Sequence, residues 1–187
     1  MEVDPIRDIE KILEMKKFLK ARGARDEALF TMGINTALRI SDLLSLSLGD
    51  VLDGQWRLLK SVRLKEKKTG KTKRFPINDS VREALAAYLD TRKNGDPSEP
   101  LFRSKKGGHL SRWQARRILS KAGKSVGLEK IGTHSLRKTF GYHVYKKTGG
   151  DIGMVQKLLN HSTSENTLRY IGIDREKMDN IYLNLNL

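Results

Sequence analysis

Residues 133–140 read THSLRKTF, and residues 158–170 read LLNHSTSENTLRY. Thr133 opens a helical run, and on that helix His134 and Arg137 stand three residues apart. Both side chains then leave one face and can converge on a single anion. His161 falls at the end of the next helical segment, with Tyr170 nine residues further on in the helix after it. Each piece taken alone has an ordinary explanation. A basic pair commonly meets solvent, and a tyrosine between Leu168 and Ile171 is usually a core residue with a satisfied hydroxyl.

Upstream, Asp4-Pro5 reads as an N-cap followed by a first-turn proline, with Ile6, Ile9, Leu13 and Phe18 at helical spacing as far as Gly23. A second helix is expected from about Arg25 to Thr36, and Ser41-Asp42 ahead of Leu43, Leu44 and Leu46 resembles the start of a third. Arg39 thus falls at a junction between helices, where a side chain can enter a cleft. Between Gly49 and Ile77 the helical period fades, and Val62 and Leu64 alternate with Arg63 and Lys65. A glycine-containing turn, Lys67 to Lys71, then precedes Arg74-Phe75-Pro76-Ile77, which predicts a small antiparallel hairpin tipped by KKTGK.

Asn78 or Asp79 caps a helix to about Asp90, and Ser111 begins a basic one carrying Arg112, Arg116, Arg117, Lys121 and Lys124. The helix from Thr133 runs to about Lys147, and Asp151 caps a shorter one ending near Asn160. After Tyr170 and a helix following Asp174, the alternation of Ile181, Leu183, Leu185 and Leu187 with Tyr182, Asn184 and Asn186 predicts a terminal strand. The fold class is therefore α+β, mainly α-helical, in one domain spanning residues 1–187, a length that suits a single core.

Composition narrows the partner. The chain has 37 Lys+Arg against 22 Asp+Glu, a net charge of +15, which calls for a polyanion. No apolar run approaches membrane-spanning length and no leader or lipidation motif is present, so nucleic acid is favoured over a membrane surface. The absence of cysteine excludes disulfides and thiolate metal sites and is compatible with a reducing cytoplasm. Four histidines without an HExxH pattern give no reason to expect a metal.

The pieces gain force as an ordered set: TALRISDLLSL around Arg39, the KTG turn at Lys68, THSLR at His134 and Arg137, LLNH at His161, and RYI at Tyr170. In this order the chain resembles the tyrosine recombinases, the lambda-type phage integrase family, from about Arg25 to Arg175. The resemblance implies the DNA breaking-rejoining catalytic fold and a transesterification needing neither metal nor other cofactor, in which a tyrosine forms a 3′-phosphotyrosyl bond. It implies double-stranded DNA as substrate and a tetramer on two DNA sites, with a monomer possible when free.

Residue by residue, the resemblance makes Tyr170 the nucleophile and Arg39 and Arg137 the phosphate clamp. It makes Lys68 the general acid toward the departing 5′-oxygen, with Lys67 and Lys71 in the same tip as alternatives or backbone contacts. His134 then orients the phosphate and assists proton transfer, and His161 bonds a nonbridging oxygen. Independently of any family, displacement at phosphorus spreads negative charge over equatorial oxygens, which arginine forks stabilise at any working pH. Asp42 is read first as a helix cap and second as a residue orienting the junction. Lys105, Arg112 and Arg116 are expected DNA-backbone contacts, His109 sits in a basic loop near DNA, and His143 is a packing residue.

Most members of the family carry a separate helical core-binding domain ahead of the catalytic one, whereas here Arg39 follows one helix and part of another. The chain reads either as an excised domain or as a short form like the recombinases that invert fimbrial promoters, the latter favoured by Met1 close to a capped helix. A half clamp predicts modest, salt-sensitive DNA affinity. The terminal strand suggests a tail, residues 180–187, exchanged between protomers. Two other readings stay open: a type IB topoisomerase-like enzyme, and a DNA-binding regulator that cleaves nothing. A serine or cysteine hydrolase is not supported, for there is no Cys and no GxSxG.

Overall fold

The computed structural model describes residues 3–92 and 95–185. Helices α1 (Ile9–Arg22) and α2 (Ala24–Thr36) are followed by the single turn α3 (Ile40–Leu43). The hairpin β1 (Ser61–Lys65) and β2 (Thr72–Pro76) comes next, then α4 (Asp79–Leu89), α5 (Arg112–Ser125), α6 (Thr133–Lys147), α7 (Ile152–Leu159), α8 (Ser164–Ile171) and α9 (Ile173–Asn184). The mainly helical class with one small antiparallel sheet is as expected.

Helix α2 is the central element, packed against α1, α4 and α6; most of its residues are buried and none is exposed. Gly33 permits the contact with α6, since a Cβ there would stand 2.4 Å from a Leu136 methyl carbon. That close approach brings Arg137, one residue beyond Leu136, against the end of α2. A second apolar cluster joins Tyr142 of α6 to Val155 and Leu159 of α7 and to Ile171 of α8, and so seats the last helices beside the same end. Gly141 allows it, because a Cβ there would lie 2.7 Å from Ile171.

In the hairpin, Val62 pairs with Phe75 and Leu64 with Lys73, while Arg63 faces Arg74. One row is apolar apart from Lys73, with Val62 and Phe75 buried, and the other row exposes Arg63, Lys65 and Arg74. The tip turns at Gly70, φ 66°, where the backbone enters the left-handed region that a glycine adopts without strain.

Two expectations need correction. The first helix starts at Ile9 with Asp8 as its cap, accepting from the Glu10 amide, and not at Asp4-Pro5. The earlier residues are engaged elsewhere: Asp4 N–H donates to the Lys130 carbonyl and Ile6 N–H to the Thr139 hydroxyl. The terminal strand is also not formed. Residues Ile181 to Asn184 belong to α9, and residues 186–187 of that reading lie outside the described ones. The alternation was short and contained good helix formers, so the helix that begins at Ile173 simply continues through it.

Candidate functional site

The end of α2 is where the site begins. Ala37 closes that helix in the left-handed conformation, φ 55°, and Arg39 then serves as the extended residue ahead of α3. This abrupt change of direction throws the Arg39 side chain toward the hairpin, where Nη1 lies 3.0 Å from Oε1 of Glu66. Glu66 is 2% exposed. Its other oxygen accepts from the Thr69 hydroxyl at 2.7 Å and from Asn160 Nδ2 at 3.2 Å. Burial pushes the Glu66 carboxyl up, but the Thr69 hydroxyl, the Arg39 charge and the Asn160 amide outweigh it and hold the group below its usual value.

Arg137, only 3% exposed, donates through Nη1 to the carbonyl of Ala37 and through Nη2 to that of Leu159. Both carbonyls belong to helix ends, which leave unpaired acceptors. The two bonds set the plane of the guanidinium, and hydrogens remain on Nε and on both η nitrogens for an incoming anion. Lys73 reaches the same place from β2, donating to the Leu158 carbonyl at 2.9 Å and to Ala37 at 3.4 Å. Burial first, and the Arg137 charge next, lower its pKa to about 8.

Asn160 ends α7 in the left-handed conformation, φ 51°, and delivers His161 to the cleft. The hydroxyl of Thr167 donates to the Thr163 carbonyl at 2.8 Å, so a lone pair is what it offers to His161 Nδ1, 3.2 Å away. A neutral His161 therefore keeps its proton on Nδ1 and presents Nε2 as an acceptor, becoming a donor there on protonation. Burial, then Arg137 and Arg39, lower its pKa to about 4. His134 is shifted the same way by burial and by the charges of Lys138, Arg137 and Arg112, so both rings are neutral at pH 7.

Tyr170 sits near the end of α8, its ring edge-on to His161 with centroids 4.9 Å apart and with Lys138 Nζ 5.5 Å above its face. Burial pushes the phenol up, against the pull of Arg137 and Arg39, so it rests protonated with Arg137 in hydrogen-bond reach.

Most of these groups, though not Glu66, Lys73 or Lys138, line one open cleft of about 770 Å³. Arg39, Lys67, Lys68, Arg112, His134, Arg137, His161 and Tyr170 all border it. Arg116 borders an adjoining hollow together with His134 and Tyr170. Lys71 and Lys105 are exposed and do not line the cleft. Asp42 is not a helix cap. It is fully buried, and its Oδ1 accepts the Lys67 amide at 3.0 Å, which ties the hairpin tip to α3. His109 pins its loop to the Leu44 carbonyl through Nδ1, and His143 bonds the Ile6 carbonyl.

Glu66, Lys73, Lys138 and Asn160 were not singled out from the sequence. Lys73 carried a faint signal, as a charged residue in phase with Phe75 on an otherwise apolar strand face.

Residues 5–177 match the model of the phage integrase family. The chain belongs to the phage integrase family. Similar proteins include "Probable integrase/recombinase YoeC" of Bacillus subtilis (strain 168), 44% identical over 176 residues, which are 93% of this chain and 92% of that protein. Tyrosine recombinase XerC of Thermodesulfovibrio yellowstonii is 33% identical over 95% of the chain, but the match takes in only 60% of that relative. Among solved structures, the XerA recombinase shares the fold with a TM-score of 0.74 at 22% identity, over all of this chain and 65% of that one. A lambda integrase tetramer bound to a Holliday junction gives 0.65 at 18% identity, over 91% of this chain and 48% of the other. As a family member, the chain is a tyrosine-type site-specific recombinase.

Proposed function

We propose that Tyr170 attacks a phosphodiester of double-stranded DNA gripped by Arg39 and Arg137, and that the cleaved strand is then rejoined to a different 5′-end. The observation that carries this reading is that both guanidinium groups and the phenol border a single open cleft. In the reaction a Tyr170 oxygen to phosphorus bond forms and the bond from phosphorus to the 5′-oxygen breaks. The phenol proton passes to His134, whose neutral ring can take it, and the departing oxygen takes a proton from Lys68. Two arginines whose donors are fixed before the phosphate arrives stabilise the equatorial charge without reorganising. His161 adds a bond to a nonbridging oxygen once the phosphate's charge has drawn a proton onto Nε2.

Arg112 enters the cleft from the first turn of α5, and Arg116 follows one turn later, so this basic helix is the surface along which flanking DNA runs. Lys67, Lys71 and Lys105 supply further phosphate contacts from exposed loops. Recombination joins two duplexes, and we place four protomers on them. The tail, the end of α9 and Leu185 beyond it, has Tyr182, Leu183 and Leu185 exposed and is the segment exchanged between neighbours.

The decisive experiment presents nicked suicide duplexes, selected from a randomised pool for covalent capture by the wild type, to wild type and Tyr170→Phe, with denaturing electrophoresis as readout. Wild type alone should form the adduct. Capture by Tyr170→Phe, or no capture at all, would reject this reading. Relaxation of supercoiled plasmid lacking any selected sequence would favour the topoisomerase alternative.

A further inference from the structure

Lys73 is out of place for a surface strand residue. Its neighbours on the inward row of the hairpin, Val62, Leu64 and Phe75, are apolar, and burying a charge there is costly unless hydrogen bonds compensate it. Two backbone carbonyls compensate, and they are not arbitrary ones. The Ala37 carbonyl is also bonded by Arg137, and the Leu158 carbonyl adjoins the Leu159 carbonyl held by the other arm of the same guanidinium. Lys73 and Arg137 thus tie together the end of α2, from which Arg39 departs, and the end of α7, from which His161 departs. Lys73 alone of the two belongs to the hairpin, five residues from Lys68 in the same tip-and-strand segment.

The hairpin has two further attachments, through Glu66, which meets Arg39 and Asn160, and through the Lys67 amide, held by Asp42. Both are on the β1 side of the tip. On the β2 side, Lys73 is the residue bonded to the arginine frame, with its neighbours Thr72 and Arg74 exposed. Holding one side of a tip leaves the other free to hinge, so the placement of Lys68 over a phosphate depends on both. The amine's lowered pKa, about 8, fits a group seated in a desolvated position beside fixed cations.

We propose that Lys73 is a positioning residue that latches the hairpin to the arginine frame and thereby holds Lys68 where it can protonate the leaving 5′-oxygen. Lys73 itself touches no reacting atom. The inference rests on the cleavage reaction proposed above and adds to it a residue and a role.

The test exploits the leaving group. A suicide duplex captured by the wild type from a randomised pool is made with the scissile 5′-oxygen and again with sulfur in its place. A thiolate departs without taking up a proton, so the second substrate does not need the general acid. Lys73→Met, similar in length and without a donor, should slow single-turnover cleavage of the oxygen substrate about tenfold or more. It should approach the wild-type rate on the sulfur substrate, as should Lys68→Ala. The double variant Lys68→Ala/Lys73→Met should be no slower than Lys68→Ala, because residues acting through one another are not additive. Lys73→Arg, which retains donors and charge, should recover part of the rate.

An equal defect on both substrates would overturn the proposal, since damage to Arg39, Arg137 or the fold slows both. An undiminished rate on oxygen, or additive losses in the double variant, would do so too. Failure of the wild type to cleave any member of the pool would remove the underlying reaction, and this role with it.

Discussion

Arg137 donates to the main-chain carbonyl of Ala37, 100 residues earlier, and Arg39 stands two residues beyond that carbonyl. The two cationic groups proposed to grip the phosphate are therefore linked by one turn of backbone. The left-handed conformation of Ala37 turns its carbonyl to one arginine while the chain continues to the other. Leu159 provides the matching link on the far side, with His161 two residues beyond it.

Arg137→Lys tests this frame. An ammonium cannot span the Ala37 and Leu159 carbonyls, so at least one buried acceptor loses its partner, at a cost of about 1–3 kcal/mol. Urea unfolding should show that loss, and single-turnover cleavage should fall about 100-fold or more, because a point charge does not reproduce the fork. Wild-type stability together with wild-type cleavage would show that the bracing is dispensable.

Asn160 combines two functions that substitution separates. Asn160→Gly retains the left-handed turn but loses the bond to Glu66, whereas Asn160→Ala also places a methyl where φ is 51°. The alanine variant should be less stable than the glycine one by about 1 kcal/mol. Both should cleave more slowly than the wild type. Thermal melting and adduct formation distinguish the backbone effect from the lost bond.

The histidine at the end of α7 makes stability depend on pH. Its folded pKa of about 4 lies below the ordinary value of 6.5. Between those values the unfolded chain holds a proton that the folded one does not, so stability falls as pH is lowered through this window. His161→Gln removes that contribution while other groups still titrate. The stability gap between wild type and variant should therefore move in the variant's favour from pH 7 to pH 4, measured by urea unfolding at both. A gap independent of pH would contradict the placement of the ring.

On α5, two neighbouring side chains should affect DNA binding differently. Arg116→Ala removes the phosphate contact proposed for that side chain and should lower the slope of log affinity against log salt by about 0.9 on an arbitrary duplex. Trp113 is exposed, with Arg117 lying 5.1 Å over its ring. Trp113→Ala should leave that slope unchanged, since no charge is lost. Fluorescence titrations at several salt concentrations decide both outcomes.

Local patterns foretold much of this molecule. The caps at Ser111, Asp151 and Asn78, and the helix from Thr133 to Lys147, are set by neighbours three or four residues away, and these can be read from the chain directly. The hairpin was visible in the alternation of Val62 and Leu64 with charged residues. The C-terminal segment is a helix where its pattern predicts a strand, because alternation over so few residues suits a strand and a helix alike.

By itself, then, the sequence determined the helical framework, the basic character of the chain and the order of Arg39, Lys68, His134, Arg137, His161 and Tyr170. Only the tertiary structure decided which buried polar groups meet: Glu66 with Arg39 and Asn160, Asp42 with the Lys67 amide, Lys73 with two helix ends. The reason is the range of the interactions. Capping and periodicity act within a few residues, whereas pairing a desolvated charge with a backbone carbonyl requires partners tens of residues apart, brought together by packing around Gly33 and Gly141.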